Sequence, residues 1–333
     1  MALDLVPLWA AILAFAVFMY VLLDGFDLGV GLLFPFAPDA ASRDLMMASV
    51  APIWDGNETW LVLGGIGLLA AFPLAFAIVI PAVYFPILFM LIGLIFRGVA
   101  FEFRHMSRRR HYWDRSFFIG SLVATFAQGI VLGTFVQGIP VHGRAYAGGT
   151  LDWITPFAVL TGVGLIAGYG LLGACWLVMK TEGGLQQWAR TRARAFLIGV
   201  AAFVLMVSVW TPLAQPQIGE RWFSWPNVVF LSPVPLVTFA LFLVVWRALA
   251  RGRDAAPFLG ALAIFAMAYL GLGISIFPMV VPYTIDLWQA AVNPKSQAFL
   301  MLGTLFLLPI ILTYTAWSYW VFRGKVRAGS GYH

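Results

Sequence analysis

The stretch VLLDGFDLGVGLL, residues 21–33, decides the class of fold because it places two acids inside a long apolar run. Asp24 and Asp27 lie in a hydrophobic sequence that extends from Pro7 to Phe36. A run of about 20 or more apolar residues is long enough to cross a bilayer as a helix. An ionised aspartate at mid-membrane costs roughly 2.5–3.5 kcal/mol, so such residues usually face the interior of a helix bundle. The stretch therefore predicts a membrane helix with a polar interior face.

The composition of the whole chain predicts an all-α, polytopic membrane protein. Of its 333 residues, 62% are hydrophobic and 10% are charged, against about 25% charged residues in an ordinary soluble domain. The apolar runs are continuous rather than alternating, which disfavours a β-barrel. We predict a single integral membrane domain over residues 1–333 with about nine spans, at residues 7–36, 54–74, 76–103, 116–139, 153–180, 192–213, 227–250, 256–280 and 297–322.

The basic residues give these predicted spans an orientation. With the N-terminus outside, 16 of the 20 lysines and arginines fall in cytoplasmic segments, and three fall in outside segments. The remaining one, Arg97, lies within the third span. Basic residues concentrate on the cytoplasmic side of membrane proteins, so the asymmetry predicts an outside N-terminus and a cytoplasmic C-terminus. The same rule accounts for the net charge of +6 without a nucleic-acid partner.

This orientation places Asp24 and Asp27 in the inner half of the first span. Because they are three residues apart, we expect them to share one helix face. Gly25 and Gly29 lie on nearby faces and lack side chains, which favours a close approach by another helix.

A second stretch, SVAPIWDGNETW at residues 49–60, opens the second span from the inside. Asp55 and Glu58 are again three residues apart, and Trp54 precedes them. Acids near a helix N-terminus are stabilised by the helix dipole. Simple capping therefore explains Asp55 as well as a functional role does, and explains Glu58 better than a functional role.

A third stretch, IFRGVAFEFR at residues 95–104, closes the third span at the inner side. Arg97 requires a carboxylate partner or a route by which its side chain reaches the surface. Glu102 is close enough to the boundary to be an ordinary interfacial charge. Three spans thus bring acids and one arginine to the same inner half of the membrane. This arrangement suits proton uptake from the cytoplasm, and a structural ion-pair network is the open alternative.

The histidines lie outside the centres of the predicted spans. His105, His111 and His142 fall in predicted loops and His333 is C-terminal. We therefore expect this chain to supply no axial haem ligand. Its motifs contain no evident metal site.

The three stretches resemble subunit II of the cytochrome bd-type quinol oxidases. The residues that carry the resemblance are LDGFDLGVG at 23–31, APIWDGNETWL at 51–61 and FRGVAFEFR at 96–104. Further along, LLPIILTYTAWSYWVFRGKV at 307–326 matches the end of the family pattern. In its length and in the residues of its motifs, the chain is closer to the cyanide-insensitive branch of the family than to the longer enterobacterial type.

The resemblance implies two helix bundles with a peripheral helix, in a bacterial inner membrane. It implies a larger subunit I that holds two b-type haems and one d-type haem, oxidises membrane quinol and reduces dioxygen to water. The reaction is electrogenic without proton pumping, because its protons come from the cytoplasm. Some members of the family hold a structural quinone in subunit II, and some have small single-span accessory subunits. By resemblance, Asp24, Asp27 and Asp55 belong to a proton pathway, supported by Trp54, Glu58, Arg97 and Glu102.

Two other interpretations of the sequence stay open. A proton-coupled secondary transporter would also place acids in membrane spans, although its acids tend to occur in both halves of the chain. A purely structural partner subunit would use the same acids as a scaffold.

Overall fold

The structure, a computed structural model, describes residues 4–327 and is built almost entirely from helices. Their bounds in chain order are α1 (Val6–Leu33), α2 (Ala40–Val50), α3 (Trp54–Ala71), α4 (Pro73–Ala82), α5 (Tyr84–Met106), α6 (Arg110–Gln137), α7 (Pro156–Lys180), α8 (Gly183–Ala214), α9 (Pro216–Phe223), α10 (Asn227–Leu231), α11 (Pro233–Ala250), α12 (Ala256–Ile276), α13 (Leu287–Ala290) and α14 (Pro294–Val321).

Two short hairpins join helices on the predicted outer side. The strands β1 (Val141–His142) and β2 (Ala145–Tyr146) pair between α6 and α7. The strands β3 (Met279–Val281) and β4 (Ile285–Asp286) pair between α12 and α13.

A few of the helices begin at a side-chain cap. The Thr155 hydroxyl accepts a hydrogen bond from the Ala158 N–H at 3.0 Å before α7, and Pro156 occupies the first turn. The Asn293 side chain accepts from the Ser296 N–H at 3.0 Å before α14. Such caps satisfy N–H groups that have no partner within the helix.

Eight of the described helical segments are long and apolar enough to cross a membrane. Helix α3, which covers most of the predicted second span at 54–74, is not among them. Its 18 residues extend about 27 Å, but polar residues in its first two turns lower its apolar character. The fold is thus an all-α polytopic membrane protein, while the count of nine spans and their orientation stay predictions.

The predicted third span, residues 76–103, is divided in the structure. Helix α4 ends at Ala82, and α5 begins at Tyr84 after a non-helical Val83. Proline lacks an N–H and its ring collides with the carbonyl four residues earlier. Pro86 would therefore interrupt a continuous helix at Ala82, but it is tolerated in the first turn of a new one.

Helix α1 packs against α3, α6 and α7, and α6 packs against α5 and α7. Helix α7 also packs against α8 and α12, and α12 packs against α11. Because α7 packs closely against both α1 and α6, the division into two helix bundles stays a prediction. Helix α14 lies at the edge and contacts the rest of the chain mainly through α3, so it is the peripheral helix.

Helix α1 crosses α7 at close range, and the glycines of the opening stretch allow this contact. A Cβ atom added to Gly29 would lie 1.9 Å from the carbonyl oxygen of Tyr169 and 2.8 Å from the N atom of Gly173. A Cβ atom added to Gly25 would lie 2.7 Å from Cε1 of Tyr169. The predicted close approach at these two glycines is confirmed, and it fixes the height of Asp24 relative to α7.

The C-terminal residues after α14 form a strap across the predicted cytoplasmic ends of α7 and α11. The Lys180 ammonium donates to the carbonyl of Gly324 at 2.8 Å, and the Val326 N–H donates to the carbonyl of Lys180 at 2.8 Å. Lys325 donates to Asp254 Oδ2 at 2.7 Å, and Arg190 binds Oδ1 of the same carboxylate at 2.5 Å. Because Lys325 donates to it, the pKa of Asp254 lies below its ordinary value of 3.8.

We expect Asp254→Asn to loosen this strap. The change removes the carboxylate charge that holds Lys325, and trypsin should then cleave after Lys325 up to about fivefold faster, the range for an exposed ion pair. Asp152→Asn, in the loop before α7 on the opposite side, is the matched control. In the wild type, the pKa of this carboxylate is lower in the folded protein than in the unfolded chain, so its ionisation stabilises the fold at a pH above the unfolded-state pKa. This stabilisation is lost as the pH falls through the folded-state pKa. The strap should therefore hold at neutral pH and loosen only below 3.8. Equal cleavage rates for Asp254→Asn and the wild type would contradict this role.

Candidate functional site

Arg97 on α5 joins two acids that come from two other helices. Its Nη2 atom donates to Asp24 on α1, and to Oε1 of Glu58 on α3 at 2.8 Å. Arg97 and Asp24 are completely buried, whereas the Glu58 side chain is 27% exposed. The structure therefore gives Arg97 the carboxylate partner that the sequence predicted, and connects a fully buried acid to one that reaches the surface of this chain.

The indole ring of Trp54 lies against the Arg97 guanidinium. The indole ring centroid lies 5.6 Å from Cζ of Arg97, within the range of a cation–π contact. The indole stacks on Phe101 at 4.9 Å, and a Cβ atom on Gly98 would come within 3.2 Å of it. These contacts fix the orientation of Arg97 through residues of the second and third stretches.

Asp27 has a neutral partner rather than a cation. The amide of Asn57 donates to Asp27 Oδ2 at 2.6 Å, and the hydroxyl of Tyr319 on α14 donates to Asn57 Oδ1 at 3.0 Å. Although Asp24 and Asp27 are both buried on α1, they are thus bound by different helices. Sequence reasoning missed Asn57. The helical spacing of α3 could have identified Asn57, because it lies on the same face as the residues that are buried. That buried face consists of Asn57, Trp60, Gly64, Gly67 and Ala71.

Two of the predicted site residues lie apart from these contacts. Asp55 is exposed in the first turn of α3, and its Oδ1 accepts from the N–H of Gly56 at 2.8 Å, a local capping bond. Glu102 is exposed on α5 and makes no ion pair within the described residues 4–327. Glu58, which the sequence ranked only as supporting, occupies the position next to Arg97.

We name Asp24, Asp27, Glu58 and Arg97 the acid cluster. It contains three carboxyl groups and one guanidinium, so full ionisation would leave two negative charges in excess. Uncompensated charge in a low-dielectric interior is costly, and acids in such places bind protons instead. The cluster therefore has the composition of a site that takes up and releases protons. Asp24 Oδ2, Asp27 Oδ1, and Nε and Nη1 of Arg97 have no protein partner within the described part of the chain.

A chain of hydrogen-bonded neutral groups leads from α7 through α6 to Tyr20 on α1. The Tyr169 hydroxyl on α7 donates to Oε1 of Gln128 on α6 at 2.8 Å. The Gln128 amide donates to the Tyr20 hydroxyl at 2.8 Å. Tyr20 lies one helical turn before Asp24 on α1, and both side chains are buried. Sequence reasoning missed these residues, although Gln128 and Tyr169 are isolated polar side chains inside apolar spans.

The described histidines lie at or beyond the ends of helices. His105 is in the last turn of α5, His111 is in the first turn of α6, and His142 is in β1. The sequence placed the first two in loops, and the structure extends the helices over them. His333 lies outside the described residues. Residues 4–327 contain no group of three or more His, Cys, Asp or Glu side chains that could hold a metal ion.

The fold and the site define a polytopic helical membrane protein with a buried, acid-rich cluster. The family described as cytochrome bd terminal oxidase subunit II matches residues 5–322. This chain belongs to that family, and the resemblance seen in the sequence is confirmed.

Individual relatives agree with this membership over nearly the full length. The chain is 29% identical to cytochrome bd-I ubiquinol oxidase subunit 2 of Escherichia coli (strain K12), over 96% of this chain and 94% of the relative. It is 28% identical to cytochrome bd ubiquinol oxidase subunit 2 of Bacillus subtilis (strain 168), over 96% of both chains. The fold is similar to a chain of the bd oxidase from Geobacillus thermodenitrificans, with a TM-score of 0.75 and 17% identity over 97% of this chain and 100% of that one.

Family membership identifies the complex and the membrane to which this protein belongs. It is a bd-type terminal oxidase subunit, part of an oxidoreductase complex, and a multi-pass protein of the bacterial inner membrane. A subunit II implies a partner subunit I, and a cytochrome complex implies haem. The oxidase interpretation is thereby favoured over the secondary transporter.

Proposed function

We propose that this chain supports a larger subunit I in the oxidation of membrane quinol and the reduction of dioxygen to water. In this proposal subunit I holds the two b-type haems and the d-type haem, and this chain conducts protons toward them from the cytoplasm. The similarity to curated subunits named ubiquinol oxidase supports the quinol reaction. A structural quinone within this chain and small accessory subunits stay predictions that follow from the family resemblance.

The observation that carries the proton route is that Arg97 holds two carboxyl groups close together, while the guanidinium itself keeps its protons. Arg97 links the surface-reaching Glu58 to the fully buried Asp24 through one nitrogen atom. Asp55 stands exposed three residues before Glu58, at the end of α3 that the basic residues predict to be cytoplasmic. We propose that Asp55 collects protons, that Glu58 receives them, and that Asp24 holds them in the interior.

Asp27 serves this route as a second buried acid. It lies one helical turn beyond Asp24 and accepts from Asn57 at 2.6 Å without an ion pair to Arg97. A buried carboxyl without a cation is more stable in its neutral form. Asp27 therefore has the properties of a proton reserve beside the route.

A scaffold function accounts less well for this arrangement. An ion-pair scaffold is most stable when its charges balance and its hydrogen bonds are complete. The acid cluster has an excess of acids, and four of its buried polar atoms lack protein partners within residues 4–327. A group built to change its protonation state has this composition.

Neutralising single acids tests the route. We expect Asp24→Asn to lower the rate of oxygen reduction about tenfold or more, since loss of a proton-transferring group typically costs at least that much. Asparagine can still accept the hydrogen bond from Arg97, so the haem spectrum and the yield of complex should stay normal. We expect Asp55→Asn and Glu58→Gln to lower the rate by smaller factors, because surface water can bypass either residue. The measurement is oxygen consumption by the purified complex, per haem.

Glu102→Gln is the matched control, because it removes an exposed acid from the same end of α5 without touching Arg97. It should turn over at the wild-type rate. Wild-type rates for Asp24→Asn, Asp55→Asn and Glu58→Gln across about pH 6 to 9, chosen to bracket a perturbed carboxyl group, would overturn the proposed route. Loss of haem or of assembly in Asp24→Asn, with normal turnover per assembled complex, would favour the scaffold.

A further inference from the structure

We propose that Arg247, Arg251 and Arg253, at the end of α11, bind the phosphate of an anionic phospholipid. We name these three residues the arginine group. The acyl chains of the same lipid lie along the exposed apolar face of α11. The inference is independent of the proton route, because the arginine group shares no residue with the acid cluster.

A glycine turn keeps the arginine group together. Gly252 has a φ of 73°, a left-handed conformation that glycine adopts without strain. The N–H of Arg253 donates to the carbonyl of Ala248 at 3.0 Å, as in the Schellman motif that commonly ends a helix. Arg247 and Arg251 are four residues apart and share one face of α11. The turn therefore holds Arg253 beside the last turn of the helix that carries the other two.

Arginines of α8 already use the carbonyl groups at this end of α11. Nη1 of Arg190 donates to the carbonyl of Arg253 at 2.7 Å, and its Nη2 donates to that of Gly252 at 2.8 Å. Nη2 of Arg194 donates to the carbonyl of Leu249 at 3.1 Å. Helix C-terminal carbonyls are the usual local partners of basic side chains. Because α8 satisfies them here, the arginine group is not needed for this purpose.

The acid that follows the arginine group is also occupied. Asp254 binds Arg190 at 2.5 Å and Lys325 at 2.7 Å. Within residues 4–327, the side chains of the arginine group donate no hydrogen bond and form no ion pair. All three residues are exposed. Like charges so close together repel one another, so an anion from outside the chain stabilises this end of α11, and a phosphate can accept from several guanidinium groups.

The exposed face of α11 favours a phospholipid over an acidic protein segment as the source of that phosphate. Leu236, Leu243 and Val244 lie on this face and are each at least 40% exposed, whereas Val245 is buried on the opposite side. The helix rises about 16 Å from Leu236 to Arg247. This rise is close to half the hydrocarbon thickness of a bilayer, about 15 Å. A lipid of one leaflet thus matches both the apolar length and the charge, as basic sites at the cytoplasmic ends of membrane helices do.

The test uses the purified complex of this chain with its subunit I and two lipids that carry a photoreactive group in an acyl chain. One is phosphatidylglycerol, which is anionic, and the other is phosphatidylcholine, which is zwitterionic. Mass spectrometry quantifies the labelling of α11 peptides. We expect phosphatidylglycerol to label them at least about fivefold more than phosphatidylcholine, since a single basic residue near an anionic lipid contributes about that factor. Raising the salt to about 1 M should lower the ratio.

The triple change Arg247→Gln, Arg251→Gln and Arg253→Gln should bring the labelling ratio to about one. Arg108→Gln, Arg109→Gln and Arg115→Gln form the matched control. They remove the same charge from exposed residues on the same predicted side of the membrane, near the start of α6, and should leave the ratio unchanged.

The comparison of the two lipids on the wild type needs no variant, so it decides the proposal even where the triple glutamine variant fails to assemble. Equal labelling by both lipids in the wild type would show ordinary bilayer contact and would overturn the proposal. A wild-type ratio in an assembled triple glutamine variant would also overturn it. Failure of both lipids to label α11 would show that a protein covers this face, with the same consequence.

Discussion

Arg97→Met is expected to prevent stable assembly of the protein. Arg97 is completely buried, and it is the cation that Asp24 and Glu58 share. Methionine fills much of the same volume but leaves two carboxyl groups facing each other without compensation. Removing one partner of a buried ion pair typically destabilises a protein by about 3–5 kcal/mol. We expect a large fall in the yield of detergent-extracted complex and a lower thermal unfolding temperature for any complex that remains.

A charge-balanced variant separates this effect from lost packing. The triple change of Arg97→Met, Asp24→Asn and Glu58→Gln removes the cation together with both acids, so no buried charge is left unpaired. Replacing a buried ion pair by neutral groups is often close to neutral in stability. The triple variant should therefore recover much of the yield while staying slow in oxygen reduction. Wild-type yield and thermal stability for Arg97→Met alone would show that the acids need no cation, and that Arg97 is not the centre of the site.

Gly29→Ala is expected to have an effect of similar size on assembly, for a purely steric reason. The added Cβ atom would meet the carbonyl oxygen of Tyr169 at 1.9 Å and the N atom of Gly173 at 2.8 Å. Both contacts are with backbone atoms, so no side-chain rotation relieves them, and α1 and α7 must move apart. Overpacking a well-packed interior costs about 1–3 kcal/mol and occasionally more. Thermal unfolding and the yield of assembled complex measure the loss.

Alanine substitutions at two other glycines provide comparisons for Gly29→Ala. Gly199→Ala, on α8, meets its nearest neighbour at 3.8 Å, an ordinary contact, and should be tolerated. Gly25→Ala meets the Tyr169 ring rather than backbone, so it should be less damaging to assembly than Gly29→Ala. If Gly29→Ala and Gly199→Ala assemble equally well, α1 and α7 are not held in contact at this point.

Several features of this protein follow from the sequence because they depend on composition and periodicity. The apolar runs predict membrane helices, and α1, α7 and α14 lie where the spans were expected. The predicted role of Gly25 and Gly29 in close helix contact also holds, because a missing side chain has the same consequence wherever the helix packs. The break at Val83 was missed, although Pro86 provided a local reason for it.

The partners of the acids were decided by tertiary structure. Helical spacing places Asp24 and Asp27 near each other, but it does not say which of them meets an arginine 73 residues away in the chain and which meets an asparagine. The family resemblance assigned Asp55 to the pathway and Glu58 only to a supporting role, although both are near the start of α3. In the structure, the rotation of α3 about its axis turns Asn57 toward α1 and Glu58 toward Arg97 on α5, and leaves Asp55 exposed.

The sequence by itself therefore determined that this is a helical membrane protein with acids in its interior, and the resemblance it carries identified the family. Only the packing of α1, α3, α5, α6 and α7 decided which acid is paired, which has a neutral partner, and which side chains link them. The physical reason is that hydrophobic periodicity fixes the buried face of a helix, whereas hydrogen bonds form over about 3 Å and depend on the height and rotation of each neighbouring helix.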